Sequence, residues 1–187
     1  MVHTKPTLIT CNKIGINTTF HFTIMNIIVN PSLLLHNEQL QNTIHFLDTK
    51  TNNIMLGEFT KLIFTNEDMS LNGLYMHADL HLSASDSKHH DQKQKRTVQF
   101  QCNHSQNISI IHDLIQIEHK LLDLYIQYKS CNKRPKILLH PQLANEYIHL
   151  YSDISSPTSS KKTIVLKISG IWETDVSYGI TYKFIEM

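Results

Sequence analysis

The chain has 187 residues, of which 41% are hydrophobic and 18% are charged. This composition is typical of a folded protein with a hydrophobic core, and it excludes disorder over the whole chain. The formal net charge of +1 excludes a uniformly basic surface, although local basic patches are compatible with it. The length predicts a single domain.

The first 24 residues differ from the rest, and we expect them to form a loosely ordered N-terminal extension. Residues 25–187 are predicted to form one domain, whose first strand starts at Met25 and ends at Pro31, because proline cannot donate to a strand ladder. Residues 14–35 carry no charged side chain, but several polar residues interrupt them, so no membrane-spanning helix is predicted. No signal-peptide pattern is visible, and we expect a soluble, intracellular protein without a membrane partner.

Alternation of apolar and polar residues predicts the next strands. They cover residues 43–47, 54–64, 71–83 and 97–102. The second contains Gly57, where the alternation breaks and a bulge is expected. The third has the most regular alternation and predicts a long half-buried strand. Between the last two, residues 83–95 are polar throughout and predict a mobile loop.

One strong amphipathic helix is predicted over Ile108–Tyr128, because its apolar residues recur at the 3–4 spacing of one buried face. Asn107 is the expected N-cap. A basic run and Pro135 follow the helix. Residues 137–151 fit either a short strand or a short helix.

The C-terminal residues 163–186 predict a β-hairpin. Thr163–Trp172 and Tyr178–Glu186 are its two arms, joined by a short polar loop. Several strands, one helix and a closing hairpin together predict a β-rich α+β fold. Its expected form is an OB-like curled antiparallel sheet or barrel, with one long amphipathic helix before the C-terminal hairpin. A generic α+β sandwich is the alternative.

The sequence contains none of the common catalytic or phosphate-loop motifs, so we expect no enzyme activity and no cofactor. The three cysteines are widely separated and odd in number, which indicates neither a disulfide framework nor a zinc ribbon. His77, Asp79 and His81 alternate on one predicted strand face. Side chains at such spacing can converge on a metal, but a polar solvent-exposed face is the simpler interpretation, so no metal site is predicted.

Aromatic and basic residues occur together in the predicted hairpin, and two further basic runs lie at 88–96 and 129–136. Proteins that bind single-stranded nucleic acid combine rings that stack on bases with cations that contact phosphates. We therefore predict a nucleic-acid-binding surface formed by Lys61, Lys93, Lys95, Arg96, Lys133, Arg134, Lys167, Trp172, Tyr178, Tyr182 and Lys183. The three rings of this set are expected to stack on bases. The opposing interpretation places Trp172 and Tyr182 in the core and makes the lysines a solvated face.

Two pairs of segments carry a resemblance to known proteins. They are Phe59–Asn66 with Leu71–Tyr75, and Lys167–Glu173 with Tyr178–Phe184. They resemble small uncharacterised proteins of large nucleo-cytoplasmic DNA viruses, which are distantly similar to the phage-type OB-fold single-stranded-DNA-binding family. The resemblance implies a helix inserted before the last two strands. It also implies a location in the host cytoplasm, the viral factory or the virion. The phage-type family ends in a long acidic tail, and this chain does not, so tail-mediated recruitment of partners is not expected.

Two function hypotheses follow. The first is a non-catalytic protein that binds single-stranded DNA or RNA and assists viral DNA replication or repair. The second is a structural or protein-interaction module of a virus, a virion or scaffold component without nucleic-acid binding. In the second, the hairpin and the strand at 71–83 contact other copies or a viral partner protein. The near-neutral net charge favours the second hypothesis.

Overall fold

The computed structural model describes residues 28–36, 39–52, 56–83, 88–89, 95–130, 132–152 and 163–187. The predicted extension at 1–24, the predicted strand start at Met25 and most of the predicted loop at 83–95 lie outside these ranges, as do Lys93 and Cys131.

Four helices and eleven strands make up the described chain. The helices are α1 (Pro31–His36), α2 (Gln39–Thr43), α3 (Ser105–Lys129) and α4 (Leu139–Ala144). The strands are β1 (Ile44–Phe46), β2 (Lys50–Thr51), β3 (Glu58–Thr65), β4 (Ser70–Leu71), β5 (Leu74–His77), β6 (Lys88–His89), β7 (Lys95–Gln99), β8 (Arg134–Pro135), β9 (Tyr147–Ser152), β10 (Ile164–Glu173) and β11 (Ser177–Glu186).

The strands form one large, mostly antiparallel sheet with the order β1-β3-β10-β11-β9-β7-β6. Strand β11 pairs in parallel with β8 and β9. On its other side, β10 is paired first with β5 and then with β3 along its length. No pairing joins β1 to β6 among the described residues, so the sheet is open. The protein is therefore a mixed α+β fold, and the expected closure into a barrel is not confirmed.

The predicted C-terminal hairpin is confirmed. Strands β10 and β11 pair along their whole length, from Ile164 opposite Glu186 to Glu173 opposite Tyr178. The register shifts between Ile168 and Gly170, where one extra residue forms a β-bulge. Side chains normally alternate between the two faces of a strand. After the bulge, each residue of β10 therefore points to the face opposite to the one that strict alternation from Ile168 would give.

The two faces of the sheet differ. One face packs against α3 and α4 and is called here the helix face. Tyr125 of α3 lies with its ring centroid 5.6 Å from that of Tyr178, and Tyr182 donates its hydroxyl hydrogen bond to Gln142 of α4. Helix α3 buries Leu114, Ile117, Leu121, Leu122 and Tyr125 on this side.

The predicted helix is confirmed, but it begins earlier and has a different cap. Its N-cap is His104, whose side chain accepts a hydrogen bond from the backbone N–H of Gln106. Asn107 is buried instead, and its side-chain amide bonds the backbone N–H and C=O of His81. These bonds fix the first turn of α3 against the chain that follows β5.

Three other stretches differ from prediction or had been left open. The predicted strand at 71–83 is divided by a turn at Gly73, which has φ +109°, although its apolar residues remain on the buried side as far as Leu80. Pro31, expected only to end a strand, starts α1, a position where its missing N–H costs nothing. The ambiguous residues 137–151 contain both α4 and most of β9.

Candidate nucleic-acid interface

The face of the sheet opposite α3 and α4 collects basic residues and is called here the lysine face. Residues directly paired across two strands share a face, so the strand register assigns each side chain. In the register, Lys183 lies directly opposite Lys167, Lys167 directly opposite Tyr75, and Gly170 directly opposite Lys61. Among the side chains that the structure describes, the same rule places six lysine and arginine residues on the face: Lys50, Lys61, Lys95, Arg134, Lys167 and Lys183.

Acidic residues in the strands lie on the other face. Glu58 and Glu173 are directly paired, and Glu173 contacts Tyr125 on the helix face, as Glu186 contacts Arg96 there. In the strands that the structure describes from 44 to 186, no lysine-face position is acidic. The strands therefore separate charge: unpaired cations lie on one face and carboxylates on the other.

Lys167 and Lys183 form the centre of the lysine face. They are directly opposite each other on neighbouring strands, an arrangement in which like charges repel. Lys167 places its Nζ 4.8 Å from the ring centroid of Tyr75, which offers a cation–π contact. Lys183 is exposed, as are Lys61 and Thr181. An anion bound between the two ammonium groups would remove their repulsion.

The lysine face is open around Lys61, Thr181 and Lys183 but not everywhere, since Val165 on the same face is fully buried. At the far side of the sheet, Lys95 lies with its Nζ 5.9 Å from the ring centroid of Tyr151, and this ring is 37% exposed. Basic residues paired with aromatic rings thus occur on both β10 and β7.

Trp172 lies on the lysine face because the bulge at Ser169 reverses its direction. It is half-buried and lies across Gly179, and its Nε1–H donates a 3.2 Å hydrogen bond to the carbonyl of Ile180. Phe59, its direct partner on β3, is also half-buried and lies across Gly170. The structure thus places two neighbouring rings beside Lys61.

Two predicted stacking residues are not on this face. Tyr178 is fully buried beneath α3, so the prediction that its ring stacks on bases is wrong. Tyr182 also points to the helix face, where its hydroxyl bonds Gln142. Burial, with the nearby Glu118 carboxylate, raises the pKa of Tyr182 to about 12. Because side chains alternate along β11, both rings lie on the face opposite to Lys183.

Two predicted phosphate-binding residues are instead paired with buried carboxylates. Arg96 bonds Glu186 on the helix face, and Lys133 bonds Glu173. The prediction that these two cations are free for phosphates is therefore wrong. Arg134, in contrast, is exposed at the lysine-face edge of β11, where it pairs with Ser177.

Glu173 organises a buried polar cluster at the end of β10. Its carboxylate accepts hydrogen bonds from Tyr125 at 2.7 Å and from Lys133, and it lies 3.2 Å from Lys129. Burial alone would raise the pKa of Glu173, but these donors outweigh it and lower that pKa. Burial lifts the pKa of Tyr125 to about 12, with Glu173 adding to the rise. The cluster is fully paired, which favours a structural role.

The predicted alternation of His77, Asp79 and His81 does not produce a ligand set. His77 Nδ1 lies 3.6 Å from an Asp79 oxygen, whereas His81 stacks on His104 with ring centroids 4.0 Å apart. Among the described residues, no group of three or more histidine, cysteine or acidic side chains is placed to hold a metal ion.

No family model, no curated protein and no solved structure matches this chain. The resemblance to viral proteins therefore stays a prediction. None of the described helices is long and apolar enough to cross a membrane.

Sequence reasoning missed Lys50, Phe59, Tyr75 and Tyr151 as residues of this face. A usable signal existed for Phe59, which is two residues from Lys61 and so shares its face. For the other three, the face depends on which strands pair, and that information is not local.

Proposed function

We propose that this protein is a non-catalytic single-stranded nucleic-acid-binding protein whose lysine face holds the phosphate backbone. The observation that carries the proposal is the separation of charge by the sheet, with six basic residues and no strand acid on the described lysine face. A net charge of +1 does not oppose the proposal, because two of the strand carboxylates, Glu173 and Glu186, lie on the helix face and are paired there with cations.

The direct Lys167–Lys183 pair supports an anionic ligand. Cross-strand like charges destabilise a sheet unless a counter-ion lies between them, and a phosphodiester supplies one charge per nucleotide. In this proposal the open sheet provides the nucleic-acid-binding surface that was expected from a curled OB-like sheet. The resemblance to viral proteins favours an accessory role in viral DNA replication or repair.

Fluorescence anisotropy with a labelled single-stranded oligonucleotide tests the proposal. We expect affinity at low salt that weakens as salt is added, because phosphate contacts release counter-ions. For single strands, the slope of log K against log salt is about −0.7 for each phosphate contacted. Absence of binding at low salt would refute the proposal and favour the protein-interaction alternative.

A matched pair of variants locates the interface. Lys183→Gln removes one exposed cation from the lysine face, and Lys120→Gln removes the same charge from α3 on the helix side. We expect Lys183→Gln to weaken binding and make the salt slope less negative by about 0.7, as expected for one lost phosphate contact. Lys120→Gln should change neither quantity. Equal effects of the two variants would indicate attraction by net charge alone.

A further inference from the structure

We infer that Phe59 and Trp172 form a two-ring stacking subsite that makes the lysine face prefer unpaired bases over a duplex. This inference rests on the proposed function, since it assigns the selectivity of the same surface. Three features support it: the position of the two rings, the glycines that they extend over and the cations beside them.

The two rings are direct neighbours across β3 and β10. Trp172 pairs with Phe59 in the antiparallel register, so the two side chains leave the same face at adjacent positions. Such partners have Cβ atoms about 4.5–5.5 Å apart. A surface of two adjacent rings at this spacing can accept more than one base.

Each ring extends over a glycine of the neighbouring strand. A methyl group at position 179 would lie 2.7 Å from Cζ2 of Trp172, and one at position 170 would lie 2.7 Å from Cζ of Phe59. Both rings therefore occupy space that a side chain at the glycine would fill. Both rings are half-buried, so part of each ring contacts the protein and part remains accessible to a ligand.

The polar edge of the indole is already satisfied. Its Nε1–H bonds the carbonyl of Ile180 at 3.2 Å, which fixes the plane of the ring and leaves no donor for base-edge recognition. Contact with a ligand must then use the ring surface. Stacking on a ring surface does not distinguish one base from another, so we expect little sequence preference.

Cations flank the two rings on the same face. Lys50 is the direct partner of Phe59 on β2, and Lys61 follows Phe59 by two residues. An aromatic ring beside an ammonium group suits a nucleotide, which carries a base and a phosphate in one unit. In a duplex the bases are stacked on each other, and their surfaces are not available to the two rings.

Trp172 is the only tryptophan of the chain, so its fluorescence reports on this subsite without labelling. The protein is titrated with an unlabelled single-stranded oligonucleotide and with a duplex of the same sequence. We expect the single strand to quench the emission and the duplex to leave it nearly unchanged. Quenching of equal depth by both would overturn the inference.

Variants provide a second readout, measured by anisotropy of labelled single strand and labelled duplex. Phe59→Leu and Trp172→Leu should each weaken single-strand binding by about 5- to 150-fold, since an aromatic–base stack is lost, while duplex binding changes little. Phe59→Tyr, which keeps the ring, should restore single-strand affinity. Tyr128→Leu is the matched control, because Tyr128 is 49% exposed on α3, away from the lysine face.

The outcomes separate this inference from the proposed function. Salt-sensitive binding with unchanged tryptophan emission, and with Phe59→Leu equal to the parent, would overturn the stacking subsite and leave the phosphate-binding proposal standing. Absence of any nucleic-acid binding would overturn both. Loss of single-strand affinity that Phe59→Tyr does not restore would also count against the inference, since it would indicate packing damage rather than a lost stack.

Discussion

Glu173→Gln tests whether the buried cluster at the end of β10 stabilises the fold through its charge. The glutamate is 4% exposed, and its carboxylate accepts bonds from Tyr125 and Lys133 and contacts Lys129. Glutamine keeps the shape and an acceptor oxygen. It removes the negative charge, however, and directs an amide group towards two ammonium groups.

The expected loss of unfolding free energy depends on how far Glu173 and its lysine partners are buried. Removing one member of a buried ion pair costs about 3–5 kcal/mol. The side chains of Lys129 and Lys133 are 25% and 28% exposed, so water can replace part of the lost contact. We therefore expect a loss near the low end, about 3 kcal/mol. For a chain of this size that corresponds to a fall in Tm of about 6–12 °C.

The pH dependence gives a second, independent test. A carboxyl whose pKa is lower in the folded state contributes stability above its unfolded pKa, and the contribution is lost as pH falls through the lowered value. The ordinary pKa of Glu173 is 4.5, and its folded pKa is lower. The difference in unfolding free energy between parent and Glu173→Gln should thus be constant near neutral pH and shrink below about pH 4.5.

Urea unfolding followed by far-UV circular dichroism, repeated over a pH series, measures both effects. Glu58→Gln is the matched control, because Glu58 bonds the same Lys129 but its side chain is 49% exposed, and we expect a loss of at most about 1 kcal/mol. Equal losses in the two variants would refute the argument from burial. A difference that stays constant down to acid pH would refute the argument from charge.

Two further predictions concern the hairpin. Gly170→Ala should lower the free energy of unfolding by about 1–3 kcal/mol in a thermal or urea melt, because the added methyl group collides with the ring of Phe59 and with the backbone of β3; a neutral result would contradict the close approach. Tyr182→Phe should leave oligonucleotide affinity unchanged, because the ring points to the helix face, and should remove one of the phenols that ionise near pH 12 in an alkaline absorbance titration.

The central strands were predictable from the sequence because their pattern is local. Alternation over Ile164–Ile168 and Ile180–Phe184 indicates one buried face for each strand, and the register confirms it. The same alternation separates Tyr178 and Tyr182 from Lys183, so the sequence already contained the reason why these two rings do not join the lysines.

Trp172 shows where local pattern fails. Strict alternation from Ile168 would place Trp172 on the helix face, and only the bulge at Ser169 turns it to the lysine face. Gly170 is compatible with a bulge but does not require one. Strand β3 passes close to Gly170. This contact depends on the tertiary structure and cannot be read from the residues of β10 alone.

The sequence also could not show which cations form ion pairs, because the partners are far apart in the chain. Arg96 and Glu186 are 90 residues apart, and Lys133 and Glu173 are 40 apart. A basic residue next to others in sequence looks like part of a cationic surface, but whether it is neutralised depends on which strand lies beside it. The structure places Lys61, Lys167 and Lys183 on one face, and their predicted contact with phosphates stays a prediction.

The order of the strands has a consequence for synthesis of the chain. Strands β10 and β11 follow all the other described strands in the chain, yet they occupy the middle of the sheet, between β3 and β5 on one side and β8 and β9 on the other. In the described chain, the earlier strands on either side meet directly only through the Leu82–Phe100 bridge. A nascent chain that lacks the hairpin thus exposes unpaired edges on both halves, so we expect folding to wait for the synthesis of this hairpin and its deletion to promote aggregation.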